Sequence, residues 1–277
     1  MNIHAVHLIT FSPTRTSKQI GEAIVRGTGI SEIIETDLTL RMAGRLEIPE
    51  NTLAVVTVPV YGGKVAPLAL ERMENIRASG TPAVLVVVYG NRAYEKALIE
   101  LDAFASERGF KVIAGATFVG EHSYSTEQHP IAVGRPDADD LQFAETFGAK
   151  IRTKIESASG IDNLYAVDVS RIQRPRQAFF PLFRFLRKVV KLRKSGVPMP
   201  RIPAVDAERC SHCGYCVTHC PASAIGKGEE CTTDAAKCIR CCACVKGCPQ
   251  KARRFDTPCA TWLADCFKRQ KENRILL

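Results

Sequence analysis

The sequence predicts an α/β chain: a doubly wound, five-stranded parallel sheet, followed by a small α+β domain built around cysteines. Three observations carry that expectation. Valine-rich apolar runs alternate with helical patterns through the first part of the chain. All twelve cysteines lie at Cys210 or beyond. Eight of them repeat one spacing twice. With 277 residues the chain is long enough for two domains, and 45% hydrophobic with 24% charged residues is an ordinary globular balance. The opening "MNIHAVHLIT" has neither a basic n-region nor a small-residue cleavage site, so no secretory leader is expected. The runs "LAVVTVPV" and "AVLVVVYG" fall short of the roughly 20 residues that a spanning helix needs. A cytoplasmic location is the expectation.

In chain order, strands are predicted over 3–10, 31–37, 52–60, 83–90 and 110–119. Helices are predicted near 16–27, 65–78, 92–108 and 138–158. Continuous apolar runs suit parallel strands covered on both faces, and the alternation with helices argues for double winding. Such sheets bind ligands beyond the carboxyl ends of their strands, where strand order reverses.

Three loops lie at that edge. "TFSPTRTSKQ" (10–19) places hydroxyls between the first strand and first helix, where free N–H groups and the helix dipole favour an anion. Helix capping is the competing use for the same serines and threonines. "VPVYGGK" (58–64) follows the third strand, and its glycines let backbone approach a flat ligand. "YGNRAYE" (89–95) follows the fourth. No G-x-G-x-x-G follows the first strand and no G-x-x-x-x-G-K-[ST] occurs, so a dinucleotide and an NTP-binding P-loop are disfavoured. A phosphate loop with two glycine- and tyrosine-bearing loops fits a mononucleotide flavin.

On these loops, residues 3–158 resemble the flavodoxin family. The resemblance implies a flavodoxin-like fold with FMN phosphate held by Ser12, Thr14, Arg15, Thr16 and Ser17. It also implies that Pro59, Tyr61, Gly62, Gly63, Tyr89, Gly90, Asn91 and Arg92 contact or border the flavin ring. Arg15 departs from the family, which usually carries glycine there; its guanidinium would either pair with the phosphate or crowd the loop. The stretch "GEHSYSTEQHPIAVGRPDADD" (120–140) starts from the same edge and is long for a plain connection. His122, Ser123 and Tyr124 are candidates to reach the flavin. A surface loop that satisfies its own backbone is the alternative.

Charge comes in blocks. Residues 1–170 net −5, residues 171–201 hold ten cations and no acid, and the remainder nets +4. Within the basic block, "AFFPLFRFLRKVVKLRK" (178–194) reads as an amphipathic helix. Phe179, Leu182, Phe183, Leu186, Val189 and Val190 form one stripe, opposite Arg184, Arg187, Lys188, Lys191 and Lys194. The stripe is expected to pack on a domain or on a second subunit; peripheral membrane contact or an acidic redox partner are the other uses. No recognition motif accompanies the charge, so nucleic acid is disfavoured.

"CSHCGYCVTHCP" (210–221) returns as "CIRCCACVKGCP" (238–249), offset by 28 residues. C-x2-C-x2-C-x3-C-P suits an iron–sulfur cube gripped by three thiolates, with the fourth cysteine ligating the other cluster. One [4Fe–4S] cluster would use Cys210, Cys213, Cys216 and Cys248, the other Cys238, Cys241, Cys244 and Cys220. Zinc, which needs only four ligands, has no use for the third cysteine. The segment resembles bacterial dicluster ferredoxins, and nearly the whole chain resembles prokaryotic flavodoxin–ferredoxin fusion proteins. Arg209, His212, Lys237, Arg240 and Lys246 flank the clusters and are expected to raise their potentials. Cys231, Cys242, Cys259 and Cys266 are expected to pack; "TPCATWLADCFKRQ" reads as a final helix.

The expected domains are residues 1–165 (FMN), 166–203 (basic helix and proline-rich connection), 204–257 (ferredoxin-like) and 258–277 (C-terminal helix). Together they imply an electron-transfer protein passing electrons between two [4Fe–4S] clusters and FMN, with a ferredoxin-type carrier or oxidoreductase as redox partner and homodimerisation open. One alternative is an FMN- and cluster-dependent oxidoreductase that reduces a small substrate, with His122 as candidate catalytic residue. A redox-sensing interaction protein is the other.

Overall fold

The computed structural model describes residues 3–277. Residues 1 and 2, where the expected first domain begins, lie outside it. The chain forms two compact units, each drawn from separated segments. The first comprises residues up to Gly120, Gly134–Pro175 and Lys271–Leu277; the second comprises Glu121–Val133 and Arg176–Gln270. The expected boundaries at 165, 203 and 257 therefore do not coincide with the units. Residues 121–133 and the basic helix belong with the cysteines, and the last seven residues belong with the sheet.

In the first unit the elements run β1 (Ala5–Thr10), α1 (Thr16–Thr28), β2 (Glu32–Asp37), β3 (Leu46–Ile48), β4 (Thr52–Tyr61), β5 (Lys64–Val65), α2 (Pro67–Arg72), β6 (Ile76–Ala78), β7 (Pro82–Tyr89), α3 (Ala97–Ser106), β8 (Lys111–Val119) and α4 (Ala138–Ser157). Five strands pair in parallel in the order β2-β1-β4-β7-β8. That is the flavodoxin-like order, with its switch point where β1 lies between β2 and β4. Every residue of β1 and β7 is buried, which is why β7 reads as an almost unbroken apolar run and β1 shows no apolar–polar alternation.

The sheet is not the clean five-stranded parallel one expected. It has seven strands and is mixed. Arg274–Leu276 pairs antiparallel with β8, occupying hydrogen-bonding groups that an edge strand leaves open, and β5 turns back antiparallel on β4. The helix expected over 65–78 is also shorter. It stops at Arg72, and β6 pairs in parallel with β3, burying Ile48 and Ile76.

One core cluster joins Ile20 and Ile24 of α1, Val6, Val55 and Phe118 of the sheet, and Phe147 and Ile151 of α4. Each such side chain contributes about 1.5–3 kcal/mol on burial. The two helices touch backbone to backbone. A Cβ on Gly27 would lie 1.9 Å from the Glu145 carbonyl oxygen, and one on Gly148 would lie 2.1 Å from that of Ile24. α4 starts on a capping box, with the Asp137 side chain accepting from the Asp140 N–H (2.9 Å) and Asp140 accepting from the Asp137 N–H (3.0 Å).

The second unit contains α5 (Phe179–Ser195), β9 (Ala204–Val205), α6 (Tyr215–Thr218), α7 (Ala243–Lys246), β10 (Arg253–Arg254) and α8 (Pro258–Cys266). β9 and β10 pair antiparallel. α5 packs Leu182 and Phe185 onto Leu263, Ala264 and Phe267 around α8, together with Ile131. Phe185 meets Phe267 edge-on at 5.2 Å between centroids. The apolar stripe expected on α5 thus divides: Leu182 packs, while Phe179, Phe183, Leu186 and Val190 stay exposed. Phe185, outside the expected stripe, contributes the second packing residue. Among the described residues, no helix is long and apolar enough to cross a membrane.

The helix contact yields a direct test. Gly148→Ala forces a methyl into the α1 backbone and is expected to cost about 1–3 kcal/mol, seen as a lowered urea midpoint; an unchanged midpoint would contradict the contact.

Candidate functional site

In the first unit, β1 delivers the chain to the switch point and Thr16 starts α1. The residue between, Arg15, has φ 68° and no side-chain cap bond. That left-handed conformation is why glycine is favoured at this position. The turn closes through the Arg15 N–H to the Ser12 carbonyl (3.0 Å). Ser12 Oγ accepts from the Lys18 N–H (3.1 Å), and the Ser12 N–H donates to Thr39 Oγ1 (2.8 Å). Capping is therefore one real use of Ser12.

The first-turn donors remain. Among the described residues, the N–H groups of Thr16 and Ser17 have no hydrogen-bond partner, and Ser17 Oγ is buried with none. Unfilled donors at a helix N-terminus suit an anion. Arg72 braces the neighbourhood, donating to the Leu38 (2.7 Å) and Thr39 carbonyls with its guanidinium 5.9 Å from the Phe11 ring centroid.

The second loop is a tight hairpin. Tyr61 pairs with Lys64, and Gly62 and Gly63 sit at φ 62° and 87°, as a type I′ turn requires. Pro59 and Tyr61 are partly accessible and Gly62 is exposed. In the third loop, Tyr89 and Asn91 are buried, while Gly90 and Arg92 are partly accessible. Tyr89 stands edge-on to Tyr94 at 5.5 Å, and burial pushes the Tyr89 phenol pKa well up. Asn91 Oδ1 accepts from the Lys271 N–H (2.9 Å), and Arg92 pairs with Glu95 at 3.1 Å.

The C-terminal segment was missed in the sequence because its role depends on pairing alone. Asn273 Oδ1 accepts from the Val119 N–H (2.9 Å), and its amide donates to Asp140 (2.6 Å). Asp140 is buried against Arg135. Burial opposes the Asp140 carboxylate, but Arg135, the Asp137 N–H and Asn273 together outweigh it, so its pKa is lowered. "GRPD" thus starts α4 and anchors the C-terminal strand.

His122, Ser123 and Tyr124 lie in the second unit. The His122 Nδ1 accepts from the Tyr124 N–H (3.0 Å), so the ring proton of neutral His122 is on Nε2. Tyr124 packs on Phe255 at 5.1 Å, and burial pushes its phenol up to about 12. Lys246 of α7 clamps the loop, meeting Glu121 at 2.5 Å and the Ser125 carbonyl at 2.7 Å.

The cysteines gather in two sets. Cys210, Cys213, Cys216 and Cys248 line one cavity; Cys220, Cys238, Cys241 and Cys244 line another. Each set takes three spaced cysteines from one repeat and one from the other, and Cys242 of the second repeat also lines the second cavity. The sequence repeat is also a backbone repeat. Ala224 N–H donates to Cys220 Sγ at 3.2 Å, and Ala252 N–H to Cys248 Sγ at 3.3 Å. Asp206 accepts from two following N–H groups, as does Asp234. Left-handed residues recur in register: His212 with Arg240, Gly214 with Cys242, and Ser223 with Lys251. Cys242 therefore occupies the turn position that precedes α7, and its thiol is buried.

A single tetrahedral ion bound at about 2.3 Å would hold sulfurs roughly 3.8 Å apart. Among the described residues, no three thiols of either set come within 4.8 Å of one another. Burial pushes Cys241 up to about 12 and Cys244 to about 11, so protonated thiols are favoured until a metal supplies compensating charge. One grouping had no sequence signal. Cys210, His212 and Cys231 offer ligand atoms within 4.8 Å, and His212 Nδ1 lies 3.0 Å from Glu230. Cys266 packs with Leu263 and Phe267, as a small apolar residue would. Cys259 is half-buried, which raises its pKa.

A family model described as a 4Fe-4S binding domain matches residues 203–226, which include the first repeat. No curated protein matches the sequence. The chain is similar in structure to a flavodoxin from the domain Archaea (13% identity over 55% of this chain and 99% of that one, TM-score 0.35). It is also similar to oxidised Flavodoxin 1 from Bacillus cereus (16%, 56% and 99%, TM-score 0.38) and to two-electron reduced Megasphaera elsdenii flavodoxin (11%, 52% and 98%, TM-score 0.33). The strand order and the motif match define an α/β chain of flavodoxin-like topology with a 4Fe-4S-binding motif region.

The strained turn can be tested without a ligand. Arg15→Gly removes a left-handed cost of about 1–2 kcal/mol while adding chain entropy of about 0.5–1. A net gain of about 0.5–1 kcal/mol in urea unfolding is expected, whereas Arg15→Ala should give none.

Proposed function

We propose that this chain is an electron-transfer protein that carries two [4Fe–4S] clusters and FMN and passes electrons between them and a separate redox protein. The observation that carries the reading is the pair of cavities, each lined by the first three motif cysteines of one repeat and the fourth of the other, with Cys242 also at the second. FMN, when bound, supplies two-electron chemistry alongside the one-electron steps of the clusters.

The chain's own residues have separable tasks. Thr16 and Ser17 N–H groups, with the Thr14 and Ser17 hydroxyls, would hold the phosphate, and the Arg15 guanidinium adds charge beside it. Pro59, Tyr61, Gly62 and Gly63 would border the ring, with Gly90 and Arg92 opposite. Tyr89 and Asn91 act from behind, setting that wall through Tyr94 and Lys271. In the second unit, the Ala224 and Ala252 N–H groups donate to the two exchanged sulfurs, which favours their charged form and holds their orientation.

Anaerobically purified protein is expected to contain about eight irons per chain, from two four-iron clusters, and one FMN. Cys213→Ser and Cys248→Ser should remove the same EPR signal, and Cys238→Ser and Cys220→Ser the other. If Cys248→Ser instead removed the signal lost in Cys238→Ser, the exchange would be wrong. Absence of flavin after reconstitution would sink the FMN assignment.

A further inference from the structure

The 28-residue repeat makes one substitution conspicuous. Cys216 corresponds to Cys244, Cys220 to Cys248, Ala224 to Ala252, and Ile225 to Arg253. Ile225 does what an aliphatic residue there should do. It is buried and packs against Cys216 and Cys244 in the apolar centre of the cysteine-rich fold. Its counterpart is an arginine only 4% exposed.

That guanidinium is hydrogen-bonded, yet no acid pairs with it. Nη1 donates to Thr233 Oγ1 at 3.0 Å and lies 3.8 Å from Cys244 Sγ, and Nη2 donates to the Glu230 carbonyl. Arg253 also lines the cavity of the other set, with Cys210, Cys213, Cys216 and Cys248. Among the described residues, no carboxylate lies within ion-pair distance of it. The nearby Glu230 carboxylate turns instead to His212 at 3.0 Å and to the Gly228 N–H at 3.2 Å. A buried cation without an anion carries a desolvation penalty of several kcal/mol. Guanidinium stays protonated at any ordinary pH, so neutralisation is no escape. An anionic group in its surroundings would offset that penalty, and Arg253 lines the cavity of one cysteine set while reaching a thiol of the other, Cys244.

We infer that Arg253 is the shared counter-charge of the two cysteine-bound clusters, holding both within one electrostatic unit and raising both reduction potentials. The inference rests on the two-cluster reading above. One electron added to either cluster makes it more negative by one charge, and a fixed cation at its edge favours that state over the oxidised one. The clusters need no side-chain proton for this. The repeat supplies a natural control, because isoleucine already fills the equivalent position.

The test compares the whole protein with three variants by dithionite titration followed by EPR, with iron analysis on each sample. Arg253→Ile restores the repeat's symmetry, Arg253→Gln keeps a donor without charge, and Arg253→Lys keeps charge. In Ile and Gln variants with full iron, both clusters should become harder to reduce by at least tenfold in equilibrium constant, about 59 mV for one electron. The Lys variant should stay near wild type. Loss of iron in Ile and Gln but not in Lys supports the same role, since only charge then separates the variants. Unchanged potentials in iron-replete Ile or Gln protein overturn it, as does a shift confined to one cluster or equal iron loss in all three variants. A wild-type protein without two cluster signals would instead remove the underlying two-cluster reading.

Discussion

Everything in the cysteine-rich fold depends on an incomplete repeat. Each C-x2-C-x2-C-x3-C segment supplies three thiols to one cavity and must look to the other segment for its fourth. Neither half is closed alone. The secondary structure there is minimal: two-residue strands and four-residue helices. Helices that short do not persist without outside support. The apolar centre, Cys216, Ile225 and Cys244 with a few neighbours, is also too small to offset the entropy of ordering so many loop residues. Small folds of this kind rely on bound metal, whose binding energy becomes folding energy. If the cavities take clusters as proposed, a fourth ligand from across the repeat would make that energy cooperative, because filling one cavity would fix cysteines on both segments.

The sheet solves a different problem with different means. Its loops are held by groups far away in sequence: Arg72 on the carbonyls of Leu38 and Thr39, Lys271 on Asn91, and Asn273 on Val119 and Asp140. These bonds hold the loops so that the donors at the start of α1 and the Gly62–Gly63 turn stay where β1 and β4 deliver them. The backbone contact of Gly27 and Gly148 keeps α1 against α4, so the free N–H groups of Thr16 and Ser17 rest on a rigid support. A site preorganised in this way loses little order when it binds an anion.

How much of this was legible follows from range. Five parallel strands can be read within a residue or two: β4 and β7 are buried valine-rich runs, while the exposed β2 is marked by its place between helical patterns. Cysteine spacing marks eight of the nine thiols that line the two cavities, because a repeated spacing is local in sequence; the ninth is Cys242. What could not be read was pairing at a distance. Arg274–Leu276 has three residues and no periodicity to mark it as a strand, and its pairing with β8 is set by a free edge. β6 is equally short, so a helical pattern from Pro67 seemed to run through it. Phe185 was left off the α5 stripe because helical periodicity alone does not show which side meets α8. Asn91 is marked by its loop as a candidate at the sheet edge, but the Lys271 N–H that its Oδ1 accepts from lies 180 residues on. Cys242 was assigned to packing; its left-handed turn becomes visible only when Gly214 is laid on the same position.

The repeat is also broken in a way that makes its halves complementary rather than equal. Tyr215 and His219 stack at 3.9 Å between centroids, while their counterparts are Ala243 and Gly247. Gly247 is where that difference matters: a Cβ there would lie 2.1 Å from the Tyr215 ring. One half thus carries the aromatic pair and the other supplies the space it enters. The two segments cannot be exchanged, even though their cysteines and turns superpose in register. Two cavities built from one pattern therefore have different surroundings, with the tyrosine at one and Pro203, Ile225 and Cys242 at the other. In the two-cluster function proposed above, where potentials follow hydrogen bonding, burial and nearby charge, unequal surroundings would give the two centres different potentials.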